Sequence, residues 1–497
     1  VSSFIGGGTY NTITDSQWST IGGGESNTIS STDAFIGAGQ NNSATGQTSF
    51  VGSGYQNVAS GYGAFVGAGN SIVYTSASLT SGQNNASGTD SFIGAGDLNL
   101  VSGNGSAIVG GDYTYGIIAA SNGSSSPGNQ ISGTDSFVGA GDLNQITNSG
   151  SFIGAGGSIY AASLGTNSQP TPSNEISGKD SFIGAGDLNL IASQEAAITA
   201  GSNNTITGHG PYAALGGGQF NSIGSQDAFI GAGQSNSVTG ADAAIVGGAS
   251  NEATGPYASV GGGSGNIASG SSATVPGGYH NLASGEFSFA AGFGSYANRS
   301  GTFVWSDDNT SAPHLEPTAA NQFIARATGG VVFLTNAAQT TGVKLAPGSG
   351  AWASASDRNL KRDVAKIDDA AVLAKVAALP VAEWSYTSER GVRHVGPMAQ
   401  DFYAAFKVGE DDRHITSIDE DGVALASIKA LNAKLEVANA GLRSMHRENA
   451  ELHIRLATLE HEVHDLAARF ATAGEKQGAN SFVRSSGDGR RSPRARS

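Results

Sequence analysis

The chain has 497 residues, with 25 Lys and Arg against 40 Asp and Glu, a formal net charge of −15, 75 glycines and no cysteine. Without cysteine there are no disulfides and no thiolate metal sites, and no run of about 18 apolar residues is present, so no membrane-spanning helix and no membrane insertion are expected. Residues 1–300 carry sixteen acidic side chains and only two basic ones, Lys179 and Arg299; that surface repels phosphate backbones, which argues against nucleic acid as a partner.

Because the chain opens at Val1, it is expected to be a processed product or a fragment. Its first 295 residues are organised by repetition. An apolar residue opening an "IGxG"-like unit falls at Ile5, Ile21, Ile36, Val51, Val66, Leu79 and Ile93, then at Val109, Val138, Ile153, Ile183, Ile198, Leu215, Ile230, Val246, Val260, Val275 and Ala290. Most steps are 14 to 17 residues, and two steps of 29 and 30 contain the loops Tyr113–Asn129 and Ser158–Asn174. A larger unit recurs as "GTDSFIGAGDLN" at 88, "GTDSFVGAGDLN" at 133 and "GKDSFIGAGDLN" at 178.

A 15-residue Gly-rich unit is too short for a helical hairpin. It supplies two short extended pieces, such as "AFIGAG" and "NSVTG", joined by Gly, Asn and Ser turns that accept positive φ. Stacked, such units predict a coil of parallel strands, one rung per repeat. The Phe-Ile or Ala-Val pair and the apolar residue after Asn are expected to face inward. So thin a coil buries little apolar area alone, which favours several chains side by side. These repeats resemble the head of a trimeric autotransporter adhesin, and the resemblance implies a left-handed parallel β-roll trimer over roughly residues 1–295. Nothing after residue 300 resembles the β-barrel anchor of that family.

Gly-x-Gly-x-x-Gly matches follow from this composition and say nothing of nucleotides; "GKD" at 178 lacks the Ser or Thr of a phosphate loop. Asp97, Asp142 and Asp187 read as turn residues rather than calcium ligands, so no cofactor and no metal is expected. Residues 296–355 form a β transition segment in which Phe323–Ala327 and Val331–Thr335 read as two strands around a Gly-Gly turn. Trp305 and Trp352 read as packing residues.

Helical signals begin only after this segment. "DDAAVLAKVAAL", Asp368–Leu379, is amphipathic and stops at Pro380; "GPMAQDFYAAF" is expected to start a helix at Pro397; "VAEWSYTS" alternates like a strand. From 428 to 470 a heptad runs unbroken, with Ile428, Leu435, Leu442, Asn449, Leu456, Val463 and Phe470 at a and Leu431, Ala438, Met445, Leu452, Leu459 and Leu466 at d. That spacing predicts a coiled coil, with Asn449 as its single polar core position fixing register. Residues 471–497, rich in Ser, Gly and Arg, read as a disordered basic tail.

"SDRNLKRDVAKI", "HVGPMAQDFYAAF" and "DEDGVALASIKALNAKLE" follow one another in residues 356–436. Together they resemble the endosialidase-type intramolecular chaperone, the self-cleaving C-terminal domain of phage tail spikes and fibres. The matching positions are Ser356, Asp357, Leu360 and Lys361, with Val364 where the family has Ile, then Gly396, Ala399 and Gln400, then Gly422, Val423, Ile428 and Leu431. The resemblance implies a trimeric folding clamp that releases itself through a Ser/Lys dyad: Ser356 as nucleophile, Lys361 as general base, and Ala355–Ser356 as the bond cut. A Ser hydroxyl needs such a base, and lysine serves once burial or neighbouring cations, here Arg358 and Arg362, favour its neutral form. His394 reads as part of the fold.

The expected architecture is therefore mainly β: a trimeric parallel β-roll or β-helix (1–295), a transition segment (296–355), a small α+β chaperone autoprotease domain (356–427), a coiled coil (428–470) and a tail (471–497). The expected function is that of a homotrimeric fibre or adhesin-like protein, extracellular, on a cell surface or a virion. It would be a single-turnover serine endopeptidase toward itself, its head facing a host-surface glycan or protein receptor. Two other readings stand beside it: an uncleaved coiled-coil adhesin whose C-terminal domain only oligomerises, and a glycan-degrading tail spike with carboxylates shared across chains.

Overall fold

The computed structural model describes residues 2–480 apart from 70–71, 76–77, 82, 112–127 and 158–172. The loops predicted at 113–129 and 158–174 and the basic tail lie largely outside the described residues. The chain forms two compact units, Val1–Ala355 and Ser356–Ser497.

The first unit is a parallel β-solenoid of about 17 turns. Each turn lays two very short strands on two separate ladders. Phe35–Ile36 pairs in parallel with Phe50–Val51 and that with Phe65–Val66 on one ladder, while Ser43–Ala44 pairs with Val58–Ala59 on the other. The strands are short because the corners between them need left-handed backbone: Asp33, Gly39 and Asn41 sit at φ of +60°, +104° and +57°. At Gly39 a Cβ would also lie 2.1 Å from the Gly54 carbonyl oxygen of the next turn, so only glycine lets the turns stack there.

Side chains alternate across each strand, and this divides the Phe-Ile pair. Ile36, Val51, Val66 and Ile93 point inward and are fully buried, as are Ile29, Ala44, Ala59 and Ala86 on the second ladder. The phenylalanines, expected to point inward with them, lie on the outer face and stack along the solenoid. Phe35, Phe50, Phe65 and Phe92 stack at 5.0, 4.7 and 5.0 Å between ring centres. Phe137, Phe152 and Phe182 form a second stack, and Phe289, Phe303 and Phe323 a third.

Three repeat positions are corrected by the pairing. The inward residues are Ile108 and Ile245, not their neighbours Val109 and Val246, which are 48% and 60% exposed. Leu79 opens no rung: Ile72–Thr75 and Ser78–Ser81 form an antiparallel hairpin, and Phe65–Val66 pairs directly with Phe92–Ile93 beyond it. An apolar spacing close to 15 matched the period by coincidence, because a hairpin inserted between turns carries apolar residues of its own.

One asparagine per turn, from Asn27 to Asn281, is buried inside. Asn236 Oδ1 accepts from the backbone N–H and side-chain amide of Asn251 at 3.1 and 3.2 Å, and Asn251 Oδ1 accepts from Asn266 N at 3.0 Å. Asn251 Nδ2 also donates to the carbonyls of Gly247 and Gly263, both at 3.0 Å. A buried amide is tolerated because each of its atoms is paired. The series is interrupted at Asn57, whose Oδ1 has no partner, beside the inserted hairpin.

The parallel ladder continues past residue 295. Phe303–Ser306 pairs with Phe289–Phe293 and then with Phe323–Arg326. Phe323–Arg326 is therefore the last rung, not one arm of a hairpin with the strand after Gly329–Gly330. It is clasped by Arg326, whose guanidinium bonds Asp307 Oδ1 at 3.3 Å, the Pro313 carbonyl at 2.6 Å and the Ser306 hydroxyl. Asp307 Oδ2 accepts from the Thr328 N–H and hydroxyl at 2.7 and 2.6 Å. After that turn Val331–Leu334, Gly342–Leu345 and Trp352–Ser354 form an antiparallel sheet, on which Trp352 leans against Phe333.

In the second unit, helix α1 (Asp369–Ala378) begins at Asp368, whose carboxylate accepts from the N–H groups of Ala370 and Ala371. Strands Ala382–Trp384 and His394–Gly396 pair antiparallel. Helix α2 (Ala399–Phe406) starts after Met398, so Pro397 precedes the helix rather than occupying its first turn. Helix α3 runs Ser417–Asn480, starting eleven residues before the first heptad position. Phe402 of α2 and Ala426 and Ala430 of α3 are buried, and Lys429 of α3 bonds Asp369 of α1 at 2.8 Å.

Candidate active site

The last strand of the antiparallel sheet ends at Ser354, and the Ala355 N–H is held by the Gly342 carbonyl at 3.1 Å. The chain is thus anchored up to Ala355, and the two compact units meet in sequence at the Ala355–Ser356 peptide bond. Immediately beyond it, Arg358–Leu360 forms a single 3₁₀ turn. Asp357 caps the turn: its carboxylate accepts from Asn359 N at 2.8 Å. Two backbone bonds close it, Leu360 N to the Asp357 carbonyl and Lys361 N to the Arg358 carbonyl, each at 3.2 Å.

This local fold brings Lys361 back onto Ser356. Lys361 Nζ donates to Ser356 Oγ at 2.6 Å, within the reach required of a nucleophile and its base. Both residues are exposed in the single chain. Of the two arginines expected to act on the lysine, Arg362 reaches Asp363 at 3.7 Å with both side chains almost fully exposed, a pairing worth little in water. The capped turn forms the bend that brings Lys361 onto Ser356. Asp357, one of the positions that carried the resemblance, caps the turn from the position directly before it.

His394 opens the strand His394–Gly396 and packs within the second unit. Its ring stacks on Trp384 at 4.7 Å, and Nε2 meets Glu389 at 3.0 Å. Asn449 lies on α3 and is exposed, as are the apolar heptad residues around it: Leu442, Met445, Leu452 and Leu456 are 48–59% exposed. On the solenoid the acidic residues Asp33, Asp90, Asp135, Asp180, Asp227 and Asp242 occupy corner positions with φ of +51° to +60°, a backbone that favours Asp. Asp187, read as a turn residue, accepts from Gly157 N at 2.8 Å.

Residues 356–408 match the model of a peptidase family described as chaperone of endosialidase; the match begins at Ser356. No curated protein matches the chain.

Proposed function

We propose, from a segment similar to the chaperone of endosialidase set directly behind a β-solenoid, that the chain is a fibre or tail-spike-like protein. Its C-terminal unit would assemble three copies and then cut itself away. The observation that carries this reading is the 2.6 Å contact of Lys361 Nζ with Ser356 Oγ, one bond beyond the last anchored residue of the solenoid unit.

The chemistry is an acyl shift followed by hydrolysis. Ser356 Oγ adds to the Ala355 carbonyl carbon while its proton passes to neutral Lys361 Nζ. Collapse of the adduct breaks the Ala355–Ser356 C–N bond, and the proton goes on to the departing Ser356 amine. Ala355 is left as an ester on Ser356 Oγ, which water hydrolyses to a free carboxylate. Lysine is a base only when neutral. In the single chain Lys361 is exposed; packing of neighbouring copies would dehydrate it and thereby couple cutting to assembly.

The bare apolar stripe of α3 supports assembly of several copies, since its a and d side chains are covered if parallel copies coil together in register at Asn449; the number three rests on the resemblance. Such a clamp suits a solenoid whose near-identical turns can pair out of step. The released solenoid would act outside the cell, on a cell surface or virion, against a glycan or protein receptor.

The test is expression of the full chain followed by a denaturing gel and N-terminal sequencing. Two fragments are expected, the smaller beginning at Ser356, and Ser356→Ala and Lys361→Ala should each leave the chain whole. An uncut wild type, or cutting at this bond in either variant, would refute the assignment.

A further inference from the structure

We infer that Asp357 is a positioning residue for self-cleavage, acting through the cap of the 3₁₀ turn and not through its charge. The inference rests on the Ser356/Lys361 reading and deepens it. Lys361 lies five positions after Ser356, and in extended chain that interval spans about 17 Å, too far for a lysine to bridge. The 3₁₀ turn shortens the path, since it rises only about 2.0 Å per residue. A turn of three residues has little stability of its own. Here it has only two backbone bonds of 3.2 Å, and none of its residues is buried. The shortest hydrogen bond organising it is the 2.8 Å contact of Asp357 Oδ1 with Asn359 N.

Asp357 itself is in extended backbone, φ −64° and ψ 133°, the conformation of a capping residue. Among the described residues the carboxylate makes no ion pair with Lys361; its role is to hold the bend on which the dyad depends.

The experiment follows cleavage of pulse-labelled full-length chain in cell-free translation across a range of pH. Alanine removes the cap; asparagine and serine keep a capping oxygen without the charge. Asp357→Ala should cut roughly 5- to 30-fold more slowly, whereas Asp357→Asn and Asp357→Ser should cut near the wild-type rate with the same pH profile. Assembly of all three variants is checked by native mass. Cutting by Asp357→Ala at the wild-type rate would overturn the inference. So would an Asp357→Asn variant as slow as alanine or with a displaced pH profile, since either result would assign the role to charge. If alanine fails to assemble and asparagine does not restore cutting, the inference also falls. Ser356→Ala, run in parallel, separates these outcomes from failure of the dyad itself: cutting in that variant refutes the dyad whatever Asp357 does.

Discussion

At the scale of single residues, the molecule depends on polar groups placed where a globular protein would place apolar ones. Asn251 makes hydrogen bonds to the turns on either side of its own. Asn251→Ala should leave the buried Asn266 N–H and the Gly247 and Gly263 carbonyls short of partners and destabilise the solenoid by about 3 kcal/mol; thermal unfolding of the full chain measures this. Asp307 gives the corresponding pH effect. The hydroxyl and N–H of Thr328, with Arg326, hold its carboxyl below the ordinary value. A depressed folded pKa contributes stability above the unfolded carboxylate range, and that stability disappears as pH falls through the folded value. The last rung should therefore loosen only below about pH 4. Trp305, two residues away, should report the change as a fluorescence transition in the wild type that Asp307→Asn lacks. The buried asparagines were visible in the sequence at near-constant spacing, but Asn is so common in turns that spacing alone did not distinguish a buried amide from a solvated one.

At the scale of elements, the 15-residue period correctly predicted a parallel solenoid, because stacking repeats is the one way units this short bury their apolar residues. Details that depend on a single residue of phase were harder to read. Phe and Ile are adjacent and both apolar, so the sequence alone does not show that strand alternation sends one inward and the other outward. The same ambiguity exchanged Ile108 for Val109 and Ile245 for Val246. The hairpin at Ile72–Ser81 was hidden because its apolar residues fell close to the period. Helix α3 was legible through its heptads, while its start at Ser417 depends on packing of Ala426 and Ala430 within the second unit, which no heptad encodes. Its proposed pairing has a specific consequence. Asn449→Leu should raise the melting temperature of the assembled helices by on the order of 5 °C and produce mixed chain numbers or registers. Circular dichroism and analytical ultracentrifugation would detect the two effects; an unchanged melting point with a single species would argue that position 449 is not in a helix–helix core.

At the scale of the whole molecule, the change from a low-charge repetitive chain to a charged one coincides with the division into two compact units at Ala355/Ser356. Upstream, order is carried from each turn to the next through backbone ladders, stacked rings and amides. Downstream, a small α/β unit carries a helix of roughly 96 Å whose apolar stripe is bare in one chain. In the proposed function the second unit brings copies together and is then released by Ser356. Mass measured on purified full-length product, under native and then denaturing conditions, tests this most directly. The predicted result is a native species containing three Val1–Ala355 fragments and, under denaturing conditions, chains ending at Ala355, with Ser356→Ala giving an intact trimer. A monomeric native species, or wild-type chains running unbroken through Ala355–Ser356, would contradict it.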